Sequence, residues 1–345
     1  MKDNLGKLVL LALLIGTSLY WGADSFTNDS VNLKNTDNAE LDVTDPSNKR
    51  AAPSDEEQTK SNLPQLSDNI PTSEARDVVL DSLDDLITLF DSLDYNTQSW
   101  LKGNREVPRL TFEGVSDNWH KTSNEIPVQQ KKMVFFRLMA PLILVSNEKI
   151  LLERQIVEAA KLNDPELKRI ALRYKAITDA SVQITQDIRL QLLNQVDILP
   201  PSLVLAQAAE ESGWATSRFT LEGNAFFGQW DFSGKGMIPK QQRKELGNYG
   251  LARFDSPLAS VEGYMFNLNT NNAYVKLRNL RTELRKSGHP ITGPELAGTL
   301  DKYSERGQAY IDGIREMIRF NKLDQVDQAY LSSKPPLHLI SNKQE

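Results

Sequence analysis

Length and composition restrict the kinds of protein that this chain can be. It has 345 residues, 39% of them hydrophobic and 25% charged, and a formal net charge of -6. This length predicts about two folded units plus tails, and the composition is typical of soluble globular proteins. No basic stripe is present, which argues against a nucleic-acid partner. With no cysteine and three scattered histidines, we predict neither a metal site nor a cofactor and expect carboxylates to perform any acid–base chemistry.

The first 23 residues have the layout of an export signal. Lys2 and Lys7 precede an uncharged, mostly apolar run from Leu8 to Ala23, which predicts a secretory signal peptide or a short membrane anchor. The run is shorter than the roughly 20 residues that a spanning helix needs. Trp21 stands where a small residue is preferred before a cleavage site. We therefore expect export, and cleavage and retention in the membrane both stay open.

A polar, acidic segment follows the apolar run. Residues 24–74 contain eleven acidic and four basic side chains, and Phe26 is their only aromatic residue. Such a segment buries too little apolar surface to offset the entropy lost on ordering. We predict a disordered acidic linker over residues 24–71.

Helical periodicity predicts a support region over residues 72–198. Its features are a helix from about residue 129 to 160 that Pro141 should kink, an N-cap at Asp164, and another long helix ending near Val196. Glu148, Glu153 and Arg154 could form a buried ion network, but we expect an exposed helix face instead. An apolar stripe at helical spacing opens the region with Val79, Leu83, Leu86, Phe90 and Leu93.

Residues 199–325 predict a second helical domain with a small inserted β-hairpin. A helix begins near Pro200 and should stop at Gly213. Two strand-like segments, 224–232 and 248–254, favour a hairpin, and further helices start near residues 256, 293 and 307. We assign residues 326–345 to a C-terminal tail. The fold class is therefore mainly α.

Glu211 is the strongest candidate for chemistry. It follows Val204, Gln207 and Ala208 on one helix face and lies in the last turn of the helix. Burial and the negative end of the helix dipole both disfavour an ionised carboxylate. A proton held near neutral pH is what a general acid needs to protonate a glycosidic oxygen. A solvated charge at a helix end is the ordinary alternative.

Aromatic side chains are dense after Glu211, and their faces can stack on sugar rings. Trp230 and Tyr249 lie on the polar hairpin and are candidates for a substrate groove. Asn and Gln side chains could bind hydroxyl and acetamido groups. We interpret Phe219, Phe226 and Phe254 as core.

Four segments together resemble one enzyme family, and each is quoted as it stands in this chain. They are 206–214 (AQAAEESGW), 224–228 (NAFFG), 250–254 (GLARF) and 303–310 (YSERGQAY). The chain is similar to the glucosaminidase family that cleaves bacterial peptidoglycan, which includes flagellar muramidases and autolysins. Segments 107–110 (VPRL) and 135–138 (FFRL) are similar to its Bax-type branch. The resemblance covers about residues 107–323.

The resemblance implies a lysozyme-like domain that hydrolyses β-1,4 bonds at N-acetylglucosamine in peptidoglycan, outside the cytoplasm. The enzyme would be periplasmic, either free or anchored in the inner membrane through residues 1–23. Glu211 matches the catalytic acid of the family and Tyr310 a tyrosine facing the substrate or an intermediate, although the segments around Asn224 and Tyr310 are each one residue longer than the family pattern. The expected substrate-binding residues are Trp214, Asn224, Gln229, Trp230, Tyr249 and Tyr303.

The identity of the second catalytic carboxylate stays open. Glu245 is the natural candidate, with Asp231 and Glu222 as alternatives. A catalytic Glu245 would imply inversion by a bound water, whereas its absence from the reaction would leave attack to the acetamido group of the substrate. A lytic transglycosylase with the same acid, and a non-catalytic wall-binding or scaffold protein, are the rival functions.

Overall fold

Helices dominate the computed structural model, which describes residues 70–116, 118–231, 233–239 and 250–342. This confirms the expected mainly α class. In the part of the chain that the structure describes, two 3-10 helices, Asn272–Tyr274 and Leu323–Gln328, accompany the α-helices. The α-helices of the described residues are α1 (Leu83–Ser92), α2 (Thr97–Leu101), α3 (Trp119–Glu125), α4 (Val128–Ala159), α5 (Pro165–Arg173), α6 (Gln186–Gln195), α7 (Pro201–Ser212), α8 (Arg218–Gly223), α9 (Pro257–Thr270), α10 (Val275–Lys286), α11 (Gly293–Ala297) and α12 (Gln308–Asn321).

Several predicted segments fall outside the described residues. They are the signal peptide or anchor at 1–23, all but the last two positions of the linker at 24–71, and residues 240–249 of the hairpin. Within the described ranges, no helix combines the length and apolar character needed to cross a membrane.

Short strands join distant parts of the chain. The strands within the described ranges are β1 (Arg76–Leu80), β2 (Glu106–Val107), β3 (Leu110–Phe112), β4 (Trp230–Asp231), β5 (Gly250–Leu251), β6 (Tyr330–Leu331) and β7 (Leu337–Ser341). β7 lies between β1 and β3 and is parallel to both. β6 pairs with β2, and β4 with β5.

The sequence predicts a C-terminal tail over residues 326–345, but this segment contributes two strands to the fold. β6 and β7 both lie within residues 326–345. In β7, the buried Leu337 and Leu339 alternate with the half-buried His338 and Ile340. This period of two is typical of a strand with one face on a core.

Two helical predictions before residue 198 need correction. Val79 belongs to β1 and is exposed, so the helical stripe holds only from Leu83 onward. The long helix expected up to Val196 is two helices, since α5 ends at Arg173 and α6 begins at Gln186. Asp179 accepts hydrogen bonds from the backbone and side chain of Ser181 between them. Such side-chain bonds to the backbone compete with helix.

Three ionic side chains of α4 are engaged with protein partners rather than exposed, so that prediction was wrong. Glu148 pairs with the buried Arg109 at 2.6 Å. Glu153, also buried, accepts hydrogen bonds from Arg173 and Tyr174. Arg154 lies 3.4 Å from the buried Asp197. α4 thus presents a buried surface on several sides and forms the centre of the helical packing.

α4 positions the helix that carries Glu211. It packs against α7 and α9, and the side chain of its buried Asn147 holds the chain just before α7. The Nδ2 group of Asn147 donates to the backbone oxygen of Leu199 at 2.8 Å. The backbone nitrogen of Leu199 donates to Oδ1 of Asn147 at 3.0 Å. The side chains of α7 are then buried from Pro201 to Ala209.

Candidate active site

The ends of α7 are those predicted from the sequence. Pro201 occupies its first turn, and Gly213 ends it in the left-handed conformation with φ of 57°. Proline fits a helix start because it has no N–H to leave unpaired, and glycine adopts positive φ without strain. This short, buried helix places Glu211 in its last turn, where the side chain is partly buried.

The two oxygens of Glu211 have different surroundings. Tyr310, on α12, donates a hydrogen bond from its hydroxyl to Oε1 at 2.9 Å. Oε2 faces the turn at Gly228, where a Cβ atom would lie 3.9 Å away. Gly228 has a φ of 60°, so the turn favours glycine at this position and brings its backbone close to the carboxyl group.

Burial raises the pKa of Glu211 to about 7. The negative charge of Glu210 also raises it, while the Tyr310 hydrogen bond and the charge of Arg306 lower it by less. Arg306 is itself paired with Glu210 at 2.7 Å. Glu211 therefore keeps a substantial protonated fraction near neutral pH, which general-acid chemistry requires.

A buried amide connects Glu211 to the core. Nε2 of the fully buried Gln207 donates to the Tyr310 hydroxyl at 2.9 Å. Oε1 of Gln207 accepts a hydrogen bond from the hydroxyl of Tyr264 on α9. The sequence alone predicts no separate role for Gln207. Its signal was an amide on the buried face of an otherwise apolar helix.

Buried aromatic rings surround this hydrogen-bond network. Tyr303 stacks on Tyr310 with ring centroids 5.3 Å apart, and Phe227 stacks on Tyr264 at 4.0 Å. Tyr303 is 5% exposed and Tyr310 is fully buried. The structure thus places Tyr303 beneath Tyr310 in the core, which favours a packing role over the predicted contact with substrate.

Two further predicted substrate residues make contacts to other parts of the fold. Trp214 packs edge to face on Phe135 and Phe136 of α4, at 5.5 and 5.3 Å. The amide of Asn224 donates to the backbone oxygens of Glu113 and Phe254. Both side chains connect the region around Glu211 to other elements, so the structure supplies them with roles other than binding glycan.

The predicted hairpin is present where the structure describes it. Trp230 opposes Leu251 across the antiparallel β4–β5 pair and packs on a small cluster that includes Met237. The Oε1 atom of Gln229 is buried, and none of the residues that the structure describes forms a hydrogen bond with it. Glu245 and Tyr249 lie outside the described residues.

The two alternative second carboxylates are engaged with their own neighbours. The backbone N–H and the hydroxyl of Ser233 both donate to Asp231 at 2.8 Å, and they hold the pKa of Asp231 below its usual range. Glu222 is exposed and pairs with Arg218 at 3.0 Å.

An apolar cavity and possible metal-binding clusters were the other features of the described residues considered as functional sites. A mostly apolar cavity of about 310 Å³ is lined by residues of α4, β3, β7 and the loop after β3, and Glu211 is not among them. No group of three or more His, Asp or Glu side chains in the described ranges is arranged to hold a metal ion.

A mainly helical fold with a small hairpin is that of a lysozyme-like domain, and a carboxyl of raised pKa at a helix end fits the glycoside hydrolase class. Residues 187–323 match the family model Glucosaminidase, described as mannosyl-glycoprotein endo-beta-N-acetylglucosaminidase. The chain is 32% identical over 200 residues to Protein bax of Escherichia coli (strain K12), a match covering 56% of this chain and 70% of that protein. No solved structure matches the chain. The chain belongs to the glucosaminidase family, in its Bax-type branch.

Proposed function

We propose that the protein is an endo-β-N-acetylglucosaminidase that cleaves β-1,4 bonds at N-acetylglucosamine in bacterial peptidoglycan, with Glu211 as the general acid. Family membership supports a glycoside hydrolase acting on a glycan. The observation that carries the assignment of the acid is the environment of Glu211. Burial raises its pKa to about 7, Tyr310 holds one oxygen, and the other oxygen faces the turn at Gly228.

In the proposed reaction, Glu211 gives its proton to the glycosidic oxygen as the bond from that oxygen to the anomeric carbon breaks. The bonding electron pair stays with the leaving oxygen, and positive charge develops on the sugar ring. The Tyr310 hydroxyl stabilises the carboxylate that forms, because its hydrogen bond to Oε1 strengthens as that oxygen gains charge.

Two routes complete the hydrolysis. A second carboxylate, for which Glu245 is the candidate, would activate a water on the opposite face of the sugar and invert the anomeric centre. Attack by the acetamido group of the substrate, followed by water, would retain it. The anomer formed first in the reaction distinguishes the two routes.

We also propose that the enzyme acts outside the cytoplasm, in the periplasm, either free or held at the inner membrane through residues 1–23. The support is the cell-wall substrate implied by the family and the basic-then-apolar pattern of the first 23 residues. Fractionation of cells that express the full chain would detect the protein in the periplasm or in the membrane, and a cytoplasmic location would contradict this part of the proposal.

The test of the acid compares wall clearing by the wild type and Glu211→Gln on purified peptidoglycan. The amide is nearly isosteric but cannot donate a proton to the leaving oxygen, so we expect a loss of roughly 10²-fold or more. Glu210→Gln is the matched control, because it removes the neighbouring carboxyl on the same turn and should retain clearing. Clearing that persists in Glu211→Gln would reject the assignment.

Other outcomes of the same experiment identify the rival functions. Products with an anhydro end would show a lytic transglycosylase, which uses the same acid without water. Binding to wall material without any cleavage by the folded wild type would show a non-catalytic wall protein.

A further inference from the structure

A continuous chain of hydrogen bonds leads from the protein core to the carboxyl group of Glu211. It consists of the hydroxyl of Tyr264, the amide of Gln207, the hydroxyl of Tyr310 and the carboxyl of Glu211. Tyr264 donates to Oε1 of Gln207, whose Nε2 donates to the Tyr310 hydroxyl at 2.9 Å. The Tyr310 hydroxyl donates to Oε1 of Glu211 at 2.9 Å. Gln207, Tyr264 and Tyr310 are at most 1% exposed, so solvent has little access to the chain.

The direction of this chain decides where a proton on Glu211 can lie. An amide has an accepting oxygen on one side and a donating nitrogen on the other. Because Tyr264 donates to Oε1 of Gln207, the amide presents Nε2 to Tyr310. The Tyr310 hydroxyl accepts that bond and directs its single proton to Oε1 of Glu211. A protonated Glu211 then carries its own proton on Oε2, the oxygen that faces Gly228.

We propose that Gln207 is a positioning residue that fixes the direction of this chain, so that the acid proton of Glu211 stays on Oε2 and is donated to the glycosidic oxygen from there. This inference rests on the proposed role of Glu211 as the general acid. In the reverse arrangement, Tyr310 would donate to Gln207 and accept from Glu211. The proton would then lie on Oε1, between two side chains and away from the glycosidic oxygen.

Glu211 is the member of the hydrogen-bond chain whose pKa lies near neutral pH. Burial raises the pKa of Tyr264, Tyr303 and Tyr310 well above the usual tyrosine value, so the hydroxyl protons of the chain stay in place. The groups that act electrostatically on Glu211 or feel its charge are Glu210 on its own helix, Arg306 and Tyr303 before α12, Tyr310 on α12, Tyr264 on α9 and Tyr274 in the 3-10 helix.

Two substitutions alter the direction of the chain in different ways. Gln207→Glu is nearly isosteric, but its carboxyl does not fix the direction: ionised, it accepts from both tyrosines, and protonated, it can present either an accepting oxygen or its O–H to Tyr310. Tyr264→Phe removes the donor that fixes the amide orientation and adds no charge. Tyr274→Phe is the matched control, because its hydroxyl is buried near Glu211 but bonds to Asn267 instead of this chain.

The experiment measures kcat and KM on soluble, uncrosslinked peptidoglycan strands across pH, and titrates the Glu211 carboxyl by carbon-13 NMR, assigned with Glu211→Gln. Below pH 6, where Glu211 is protonated in every variant, we expect kcat to fall about 10-fold or more in Gln207→Glu and Tyr264→Phe. KM should stay within about twofold, since no group that binds glycan is removed. The titration midpoint of Glu211 should rise in both variants and stay unchanged in Tyr274→Phe.

A kcat at the control level in Gln207→Glu and Tyr264→Phe overturns the inference, whether or not the titration midpoint moves. If Gln207→Glu does not fold, the kcat of Tyr264→Phe decides alone: a reduced kcat supports the inference and a kcat at the control level overturns it. Activity retained by Glu211→Gln would instead reject the proposed acid. The NMR titration would still report the direction of the chain in that case, so the two failures are distinguishable.

Discussion

Burial disfavours the ionised form of three carboxyl groups, yet their pKa values are shifted in different directions. These groups belong to Glu211, Asp327 and Asp197. Burial acts to raise the pKa of Asp197, but Arg281, Arg285 and Arg154 hold it below the usual range. Burial raises the pKa of Asp327 to about 6 and that of Glu211 to about 7. The pKa of Glu211 differs from that of Asp197 because Glu211 has no cation of its own. Its hydrogen-bond donor Tyr310 is neutral, and the nearby Arg306 is paired with Glu210. A carboxyl without a cation of its own stays protonated longest.

The raised pKa of Glu211 predicts that Glu211→Gln is more stable than the wild type at alkaline pH. The folded state binds the Glu211 proton more tightly than the unfolded state, whose pKa is close to the ordinary value of 4.5. Its contribution to stability is therefore fully present below about pH 4.5 and is lost as the pH rises through about 7. The amide has no charge to bury, so at pH 8 the variant should gain up to about 3 kcal/mol.

Urea denaturation of the wild type and Glu211→Gln at pH 4.5 and pH 8 measures this effect. The difference in the free energy of unfolding should be small at pH 4.5 and large at pH 8. Glu210→Gln is the control, since Glu210 is paired at the protein surface, and it should show no comparable gain. A difference for Glu211→Gln that does not change with pH would contradict the raised pKa.

At the scale of elements, one carboxyl connects the starts of two helices. Asp327 accepts hydrogen bonds from the backbone N–H and hydroxyl of Ser202, at 2.8 and 2.6 Å, in the first turn of α7. It also accepts from the backbone N–H of Gly293, the first residue of α11. The helices approach so closely here that a Cβ on Gly293 would lie 2.1 Å from the Ser202 hydroxyl and 2.8 Å from the backbone nitrogen of Leu203.

This contact predicts opposite effects for alanine at two helical glycines. Gly293→Ala should lower the free energy of unfolding by about 1–3 kcal/mol, because the new methyl group overlaps α7. Gly313→Ala, in the interior of α12, meets no atom within 4 Å and should raise it by about 0.5–1 kcal/mol through helix propensity. Urea denaturation of both variants tests the pair. A Gly293→Ala variant at least as stable as the wild type would show that the close contact between α7 and α11 does not govern the choice of glycine.

Features of this protein that local interactions determine are predictable from its sequence, whereas features that depend on distant partners are not. Gly213 ends α7 through its own backbone conformation, so the helix end was readable from the sequence. Val79 lies in a strand because β1 pairs with β7 near the other end of the chain, and no local pattern reports that pairing. At the site, burial of Glu211 followed from its helical face. The role of Gln207 and the packing of Trp214 depend on side chains from other helices.

At the scale of the whole molecule, the segment that matches the family model is held by residues outside it. α4 packs on α7 and α9, and its Asn147 bonds to Leu199. The chain just after β3 accepts a hydrogen bond from Asn224 through Glu113. β3 in turn pairs with β7, which also pairs with β1. The C-terminal strand therefore joins the N-terminal strands into the sheet beside which Asn224 is fixed.

This arrangement predicts that removing β7 destabilises the protein and weakens wall clearing. Truncation after Ser332 deletes β7 and leaves β1 and β3 without the strand that joins them. The buried Leu337 and Leu339 are lost with it, at about 1.5–3 kcal/mol each. Truncation after Asn342 keeps the whole strand and serves as the control. Urea denaturation should show the shorter protein to be less stable by at least about 3 kcal/mol, with clearing reduced at the temperature where the control is active. Equal stability of the two truncations would show that β7 is dispensable and that the family segment holds its site without the sheet.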